Sequence, residues 1–250
     1  MPRYFIRLAY NGARFHGWQE QPGGVRTVQS ALEDALSKLL RADIKVTGAG
    51  RTDTGVNASM MIAHFDAPQP IMAPEQMPRR INAITGPDIA VYGLKMMHDD
   101  AHARFDATAR TYHYYTALTR SPFYHRLTWP APPALDFDAM NQAAALLIGR
   151  RDFTSFSKLH TDVKTNICDL REAQWSEWSD GVMVFRITAD RFLRNMVRAV
   201  VGTLVDIGRH KYSPESITGI LDARDRCAAG TSMPAEALFL HRIEYPYNIP

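Results

Sequence analysis

A lone carboxylate, Asp53, stands in a run of small residues and glycines, Gly48-Ala49-Gly50-Arg51-Thr52-Asp53-Thr54-Gly55-Val56-Asn57-Ala58. The guanidinium of Arg51 lies two positions upstream. Glycine lets the backbone take tight or left-handed conformations and lets a ligand approach closely. A carboxylate presented on such a loop reaches a reacting atom that a side chain inside a helix rarely meets. It can act there as a nucleophile or remove a proton. The plainer alternative is a strand-to-turn junction in which Asp53 caps neighbouring amides.

Two other chemistries fit this stretch poorly. A dinucleotide loop of the G-x-G-x-x-G kind needs glycine where Asp53 stands, and a carboxylate there repels a pyrophosphate. Asp53-Thr54-Gly55 also spells the triplet of aspartic proteases, which need two such carboxylates sharing one proton. The chain has no second Asp-Thr-Gly or Asp-Ser-Gly, so a protease would have to borrow its partner from another subunit. Arg51 nearby favours full ionisation, which a shared-proton dyad does not want.

The elements that must carry this loop can be read from periodicity. Residues 3–10 alternate as a strand with Tyr4, Ile6, Leu8 and Tyr10 on one face. Thr27 caps a helix bearing Val28, Leu32, Leu36 and Leu39. Strands are expected near 43–49, 59–66 and 89–98, which puts the Asp53 loop between two of them. The second half opens with a strand near 110–118, on which Tyr112 and Tyr114 share a face with His113 opposite. A helix over 137–148 follows, with Asp136 as cap and Gly149 as stop. A hairpin joins strands near 167–178 and 182–188 around Asp180-Gly181. Helices over 190–207 and 214–223 come next, the latter capped by Ser213 with Pro214 first. A last strand covers about 238–244. On the 190–207 helix, Leu193, Met196, Val197, Val200, Val201 and Leu204 make an apolar face, with Arg191, Arg194 and Arg198 along its edge. Each half runs strand, helix, strand, strand, and the class is α+β.

With 250 residues, 46% hydrophobic and 22% charged, the chain has the composition of a soluble globular protein of one large domain or two packed ones. A net charge of +3 does not by itself announce a nucleic-acid binder, so the distribution of arginines matters more. Cys168 and Cys227 make no metal pattern and no framework of bridges, and reduced thiols in a cytoplasmic protein are the simplest reading. The charged start, Arg3 to Leu8, does not suit a signal peptide, and no uncharged run approaches a membrane span. No HExxH, paired-Cys or phosphate-loop motif is present, so neither a metal nor a cofactor is expected. His16 and His102 read as hydrogen-bonded structural residues. Arg79-Arg80, Arg104, Arg110 and Arg150-Arg151 are phosphate contacts or solvated surface.

Gly50-Arg51-Thr52-Asp53-x-Gly55-Val56 resembles the catalytic signature of the tRNA pseudouridine synthase A family. Other stretches resemble the family in order and spacing as well as content: Tyr10-Asn11-Gly12 with Phe15 to Gln19, Ala103 to Arg110, Tyr112-His113-Tyr114, Gly149 to Ser157, and Phe192 to Gly202. Thr54 and Asn57 depart from the family's usual alanine and histidine, which puts the surroundings of Asp53 in question rather than the carboxylate itself.

The resemblance implies a pseudouridine synthase fold of two similar lobes around a basic cleft. The first, 1–106, would carry the Asp53 loop; the second, 107–250, would carry Tyr112 and Arg198. It further implies an isomerase that converts uridine to pseudouridine at tRNA positions 38 to 40 in the anticodon stem-loop, with Asp53 as nucleophile and no cofactor. Arg198 takes the place of the family's arginine; a carboxylate in a base pocket tends to take up a proton unless a cation holds it ionised. Tyr112 would contact the target base, and Arg51 would help hold the nucleotide out of its stack, since C1′ and C5 are shielded inside a stem. Arg191 and Arg194 would bind the substrate. A homodimer spanned by one tRNA is also implied. A non-catalytic RNA-binding module on the same scaffold is the competing reading, and it has no need of such a carboxylate.

Overall fold

The computed structural model describes residues 1–158 and 165–250. In chain order the elements are β1 (Arg3–Tyr10), α1 (Val28–Leu40), β2 (Thr47–Gly48), β3 (Asn57–Asp66), α2 (Met77–Thr85) and β4 (Ile89–Met96). There follow β5 (Ala109–Ala117), β6 (Trp129–Pro130), α3 (Phe137–Ala145), β7 (Gly149–Asp152), β8 (Ile167–Ser179), β9 (Val182–Ala189), α4 (Met196–Gly208), α5 (Ser216–Ala223) and β10 (Leu238–Glu244). The chain forms two compact units, Met1–Thr108 with Leu240–Pro250, and Ala109–Phe239. The class is α+β.

In the first unit, β1 lies between β4 and β3, antiparallel to both, and β2 pairs with β3. The even residues of β1 turn inward, as the alternation predicts: Tyr4, Ile6, Leu8 and Tyr10 are buried. Phe5 is buried as well, its ring edge-on to Tyr245 and Tyr247 from the chain's end. Thr27 caps α1 through a reciprocal pair with Ser30, and Val28, Leu32, Ala35 and Leu36 face the core.

Two segments of this unit differ from the periodic reading. Only Thr47 and Gly48 of the expected 43–49 strand join the sheet. The Ile44 N–H donates instead to Ser37 Oγ and the Val46 N–H to Glu33 Oε1, so side chains of α1 take the amides a ladder would use. The helix α2 is an addition. Pro78 sits in its first turn, where a missing N–H costs nothing, and Met77 and Ile81 are buried beneath it.

In the second unit the strands run β5-β9-β8-β7, all antiparallel, with the two-residue β6 parallel to β5. The β8–β9 hairpin turns at Asp180-Gly181, with Gly181 at φ 73. Asp136 caps α3 by accepting from the Ala139 N–H. The α-helical part of α3 ends at Ala145; Gly149, at φ 105, opens β7 instead of stopping the helix directly. α5 starts at Ser216 rather than at Pro214, because Ser213 accepts through its carbonyl in a preceding turn.

The largest difference is in α4. The expected helix over 190–207 begins only at Met196, so Arg191 and Arg194 are not on it. Asp190 Oδ1 accepts from the Asp169 and Arg191 N–H groups, a local arrangement that competes with helical bonding. Asn195 then turns left-handed at φ 66 immediately before the first helical residue. Arg198 alone of the three arginines belongs to the helix. Of the expected apolar side, Leu193 is buried but precedes the helix, whereas Met196, Val197, Val200, Val201 and Leu204 are buried on it.

Candidate active site

In the first unit Asp53 occupies the loop between β2 and β3, and several independent contacts hold that loop. The Tyr10 hydroxyl at the end of β1 shares a hydrogen bond with Thr52 Oγ1 at 2.8 Å, both groups buried. The Trp18 N–H donates to the Thr52 carbonyl at 3.2 Å, and the Val56 N–H to the Asp53 carbonyl at 3.1 Å. Gly17, at φ 82, lies so close that an added Cβ would stand 2.5 Å from the Thr52 carbonyl oxygen and 3.2 Å from the Asp53 carbonyl carbon. The Gly12 N–H donates to Asn57 Oδ1 at 2.8 Å, so Asn57 ties the start of β3 to the turn after β1. The Asp53 side chain is thus half-buried on a backbone fixed from both sides.

Arg51 shares this loop and is exposed, its Nε donating to Gln19 Oε1 at 3.1 Å. A pocket of about 130 Å³ beside it is lined by Trp18, Gln19, Gly50, Arg51 and Arg104 among others. Gly48, also in the lining, packs closely on the Trp18 indole, where a Cβ would come within 2.5 Å of the ring. His102 is structural in this unit: its Nδ1 accepts the N–H groups of Arg104 and Phe105.

In the second unit Arg198 is half-buried on α4. Its Nε donates to the Met233 carbonyl at 2.5 Å, and its own carbonyl accepts the Met233 N–H at 3.1 Å. Tyr114 is buried, which pushes its hydroxyl well above the usual phenol range; the Glu236 carboxylate adds to the rise and the Arg198 guanidinium opposes it. Tyr112, two residues earlier on β5, is half-buried with its ring edge-on to Phe192 at 5.2 Å. Arg191 Nη1 donates to the Thr165 carbonyl at 3.1 Å, and Arg194 is exposed, its carbonyl accepting the Lys158 N–H. Arg110 is engaged with the Asp190 carbonyl, while Arg79, Arg80 and Arg150 are exposed. Among the described residues no cluster of three or more His, Cys, Asp or Glu side chains could hold a metal ion. No helix among them is long and apolar enough to cross a membrane.

The structure thus gathers Asp53 and Arg51 on one loop of the first unit, and Tyr112, Arg191, Arg194 and Arg198 in the second. Periodicity did not reveal Tyr10, Gly12, Gly17 and Thr52 as the loop's anchors. The available signal was Gly17 itself, a lone glycine among the bulky Phe15, His16 and Trp18, where the chain can turn left-handed.

Comparison with known proteins identifies the family. A family described as tRNA pseudouridine synthase matches residues 8–112 and 143–246, which puts the chain among the isomerases. Individual relatives extend the match to the full length. The protein called tRNA pseudouridine synthase A from Parabacteroides distasonis is 52% identical over 249 residues, 100% of this chain and 98% of that one. The protein of the same name from Bacteroides thetaiotaomicron is 52% identical, over 100% of this chain and 93% of that one. That of Bacillus subtilis is 40% identical, over 95% and 97%. The chain belongs to the tRNA pseudouridine synthase family.

Proposed function

We propose that this protein converts uridine to pseudouridine at positions 38 to 40 of the tRNA anticodon stem-loop, with Asp53 as the nucleophile. The observation that carries the reading is the pinned loop: a half-buried carboxylate on a backbone fixed by Tyr10–Thr52, Trp18–Thr52 and the close approach of Gly17. A binder gains nothing from holding an anion rigidly toward a polyanionic substrate. A catalyst needs a carboxylate whose position is set before substrate arrives.

The reaction breaks the C1′–N1 bond, turns the base and forms a C1′–C5 bond. The C5 proton leaves to solvent and N1 takes one up, so the change is redox-neutral and no group is lost. Asp53 forms a covalent bond with the substrate while the base is detached, and Arg198 serves as the carboxylate's counter-cation. Tyr112 meets the target base through its ring or its hydroxyl. Arg51 holds the nucleotide out of its stack, and Arg191 and Arg194 bind phosphates. The first lobe supplies the nucleophile and the second supplies Tyr112 and Arg198. The protein works in the cytoplasm as a homodimer, with one tRNA spanning both subunits.

The test is tritium release from tRNA carrying uridine labelled at C5, since each product formed sets one C5 hydrogen free. The parent protein is expected to release label from positions 38 to 40, and Asp53→Asn to release none while still retaining tRNA on a filter. Turnover by Asp53→Asn within about tenfold of the parent, where loss of a nucleophile should cost far more, would sink the assignment.

A further inference from the structure

A chain of side chains runs from the buried flank of α1 to Arg51. Glu33 is 6% exposed and Gln29 8% exposed, unusual burial for a carboxylate and an amide. Glu33 Oε1 accepts the Val46 N–H at 2.9 Å and Gln29 Nε2 at 2.9 Å, and Glu33 Oε2 pairs with Lys45 at 3.4 Å. Gln29 Nε2 also donates to the Val46 carbonyl at 3.1 Å. Gln29 Oε1 accepts from the Glu20 N–H at 3.0 Å and from Gln19 Nε2 at 2.8 Å. Gln19 Oε1 then accepts from Arg51 Nε at 3.1 Å.

The direction of every bond in this chain follows from its fixed end. The Val46 carbonyl and the ion-paired Glu33 carboxylate only accept, and the Glu20 N–H only donates. Turning the Gln29 amide over would set oxygen against two acceptors and nitrogen against a donor. Gln29 therefore has one orientation, and it presents oxygen to Gln19. Gln19 must answer with its nitrogen, which leaves its own oxygen outward for Arg51.

We propose that Glu33, Gln29 and Gln19 are positioning residues that hold the Arg51 guanidinium in one orientation beside the Asp53 loop. The inference rests on the reading of Arg51 as a residue of the uridine-isomerising site. A free arginine side chain loses much rotamer entropy when it engages substrate, and anchoring Nε removes part of that loss beforehand. The terminal Nη groups are left to meet the nucleotide.

The test is a double-mutant cycle read by single-turnover pseudouridine formation at saturating tRNA, with filter binding alongside. Gln29→Met removes the orienting amide, and the rate is expected to fall about tenfold, the scale of one hydrogen bond to a charged group, with tRNA affinity within about twofold. Gln19→Glu alone is expected to lose a similar factor, because its carboxylate faces the Gln29 oxygen and turns away. Together the two changes should restore the rate to within about threefold of the parent, since a carboxylate accepts from Arg51 through either oxygen once the opposing acceptor is gone. A packing role for Gln29 predicts no such rescue. An unchanged rate in Gln29→Met, or a double variant no faster than the slower single, overturns the proposal. If Gln29→Met does not fold, Gln19→Met at the half-exposed end decides instead: a fall supports the chain and an unchanged rate overturns it. Arg51→Ala separates the two levels. An unchanged rate there removes the reading of Arg51 and the proposal with it, whereas a fall there without one in Gln29→Met or Gln19→Met removes the positioning chain alone.

Discussion

Replacing Gly17 by alanine tests whether the Asp53 loop must be held to a fraction of an ångström. Gly17 has φ 82, where an alanine costs about 1–2 kcal/mol. Its Cβ would also stand 2.5 Å from the Thr52 carbonyl oxygen, about 0.9 Å short of the 3.4 Å at which ordinary contact begins. The obstructing atom is backbone, so no side-chain rotation relieves it; Tyr10 holds the Thr52 side chain and the Trp18 N–H holds that same carbonyl oxygen. The loop or the Gly17 turn must therefore move by most of that distance, next to the peptide of Asp53. Displacement on this scale is expected to lower turnover about a hundredfold. Gly23→Ala is the control, since Gly23 has φ 90 and nothing within 4 Å of its would-be Cβ. It shares the conformational penalty without the collision. Both variants should melt lower, by about 2–4 °C for each kcal/mol lost in a chain of this size, with Gly17→Ala the lower of the two. The assay is tritium release beside thermal unfolding and filter binding. Gly17→Ala with turnover equal to that of Gly23→Ala would show that loop placement does not limit the chemistry and that the pinned loop does not mark Asp53 as catalytic.

Tyr112→Phe keeps the edge-on contact with Phe192, so melting and tRNA affinity should hold while product formation falls sharply; full activity would mean that the ring acts by packing alone. Arg198→Ala should slow single-turnover chemistry by about thirtyfold or more, with little change in affinity, as a partly exposed counter-charge is removed. Arg191→Ala and Arg194→Ala should each weaken tRNA binding and flatten its salt dependence by about one unit of slope, with chemistry at saturation unchanged; the reverse pattern would refute this division of labour. Burial, with help from His102 and Arg3, lowers His64 from 6.5 to about 4, and its Nδ1 accepts the Ala103 N–H. The unfolded chain then binds a proton that the folded chain refuses, so stability should decline as pH falls from about 6.5 to about 4, by at most about 3 kcal/mol. The Arg3–Asp66 pair, which lowers the Asp66 carboxyl, adds its own loss only below the usual carboxylate range. Urea unfolding at pH 7 and pH 4.5 should show a smaller difference in His64→Asn, and an equal difference would assign the loss elsewhere.

Much of the scaffold was legible in local signals. The alternation of β1, the Thr27 and Asp136 caps and the Asp180-Gly181 turn each act within a few residues, and each element formed where its signal lies. Local signals misled where a side chain competed for backbone groups. Glu33 and Ser37 drew amides of the 43–49 segment out of the ladder, and Asp190 with the left-handed Asn195 delayed α4 to Met196. The helix α2 was hidden because its proline reads as a break, although a proline in a first turn loses no bond.

By itself the sequence singled out Asp53 in its glycine-rich loop, most of the elements around it, and the family whose motifs surround it. These depend on residue identity and short-range spacing, which survive in a one-dimensional string. Only the tertiary structure decided how the Asp53 loop is held. Tyr10 meets Thr52 and Gly12 meets Asn57 across separations of 42 and 45 residues, and Gly17 closes on the same loop by lacking a side chain. It also decided that Arg198 alone of three arginines stands on a helix, and which way the amides of Gln29 and Gln19 point. Contacts of that range obey no period, because they depend on where separate elements come to rest against one another, and that is settled by packing the whole unit at once.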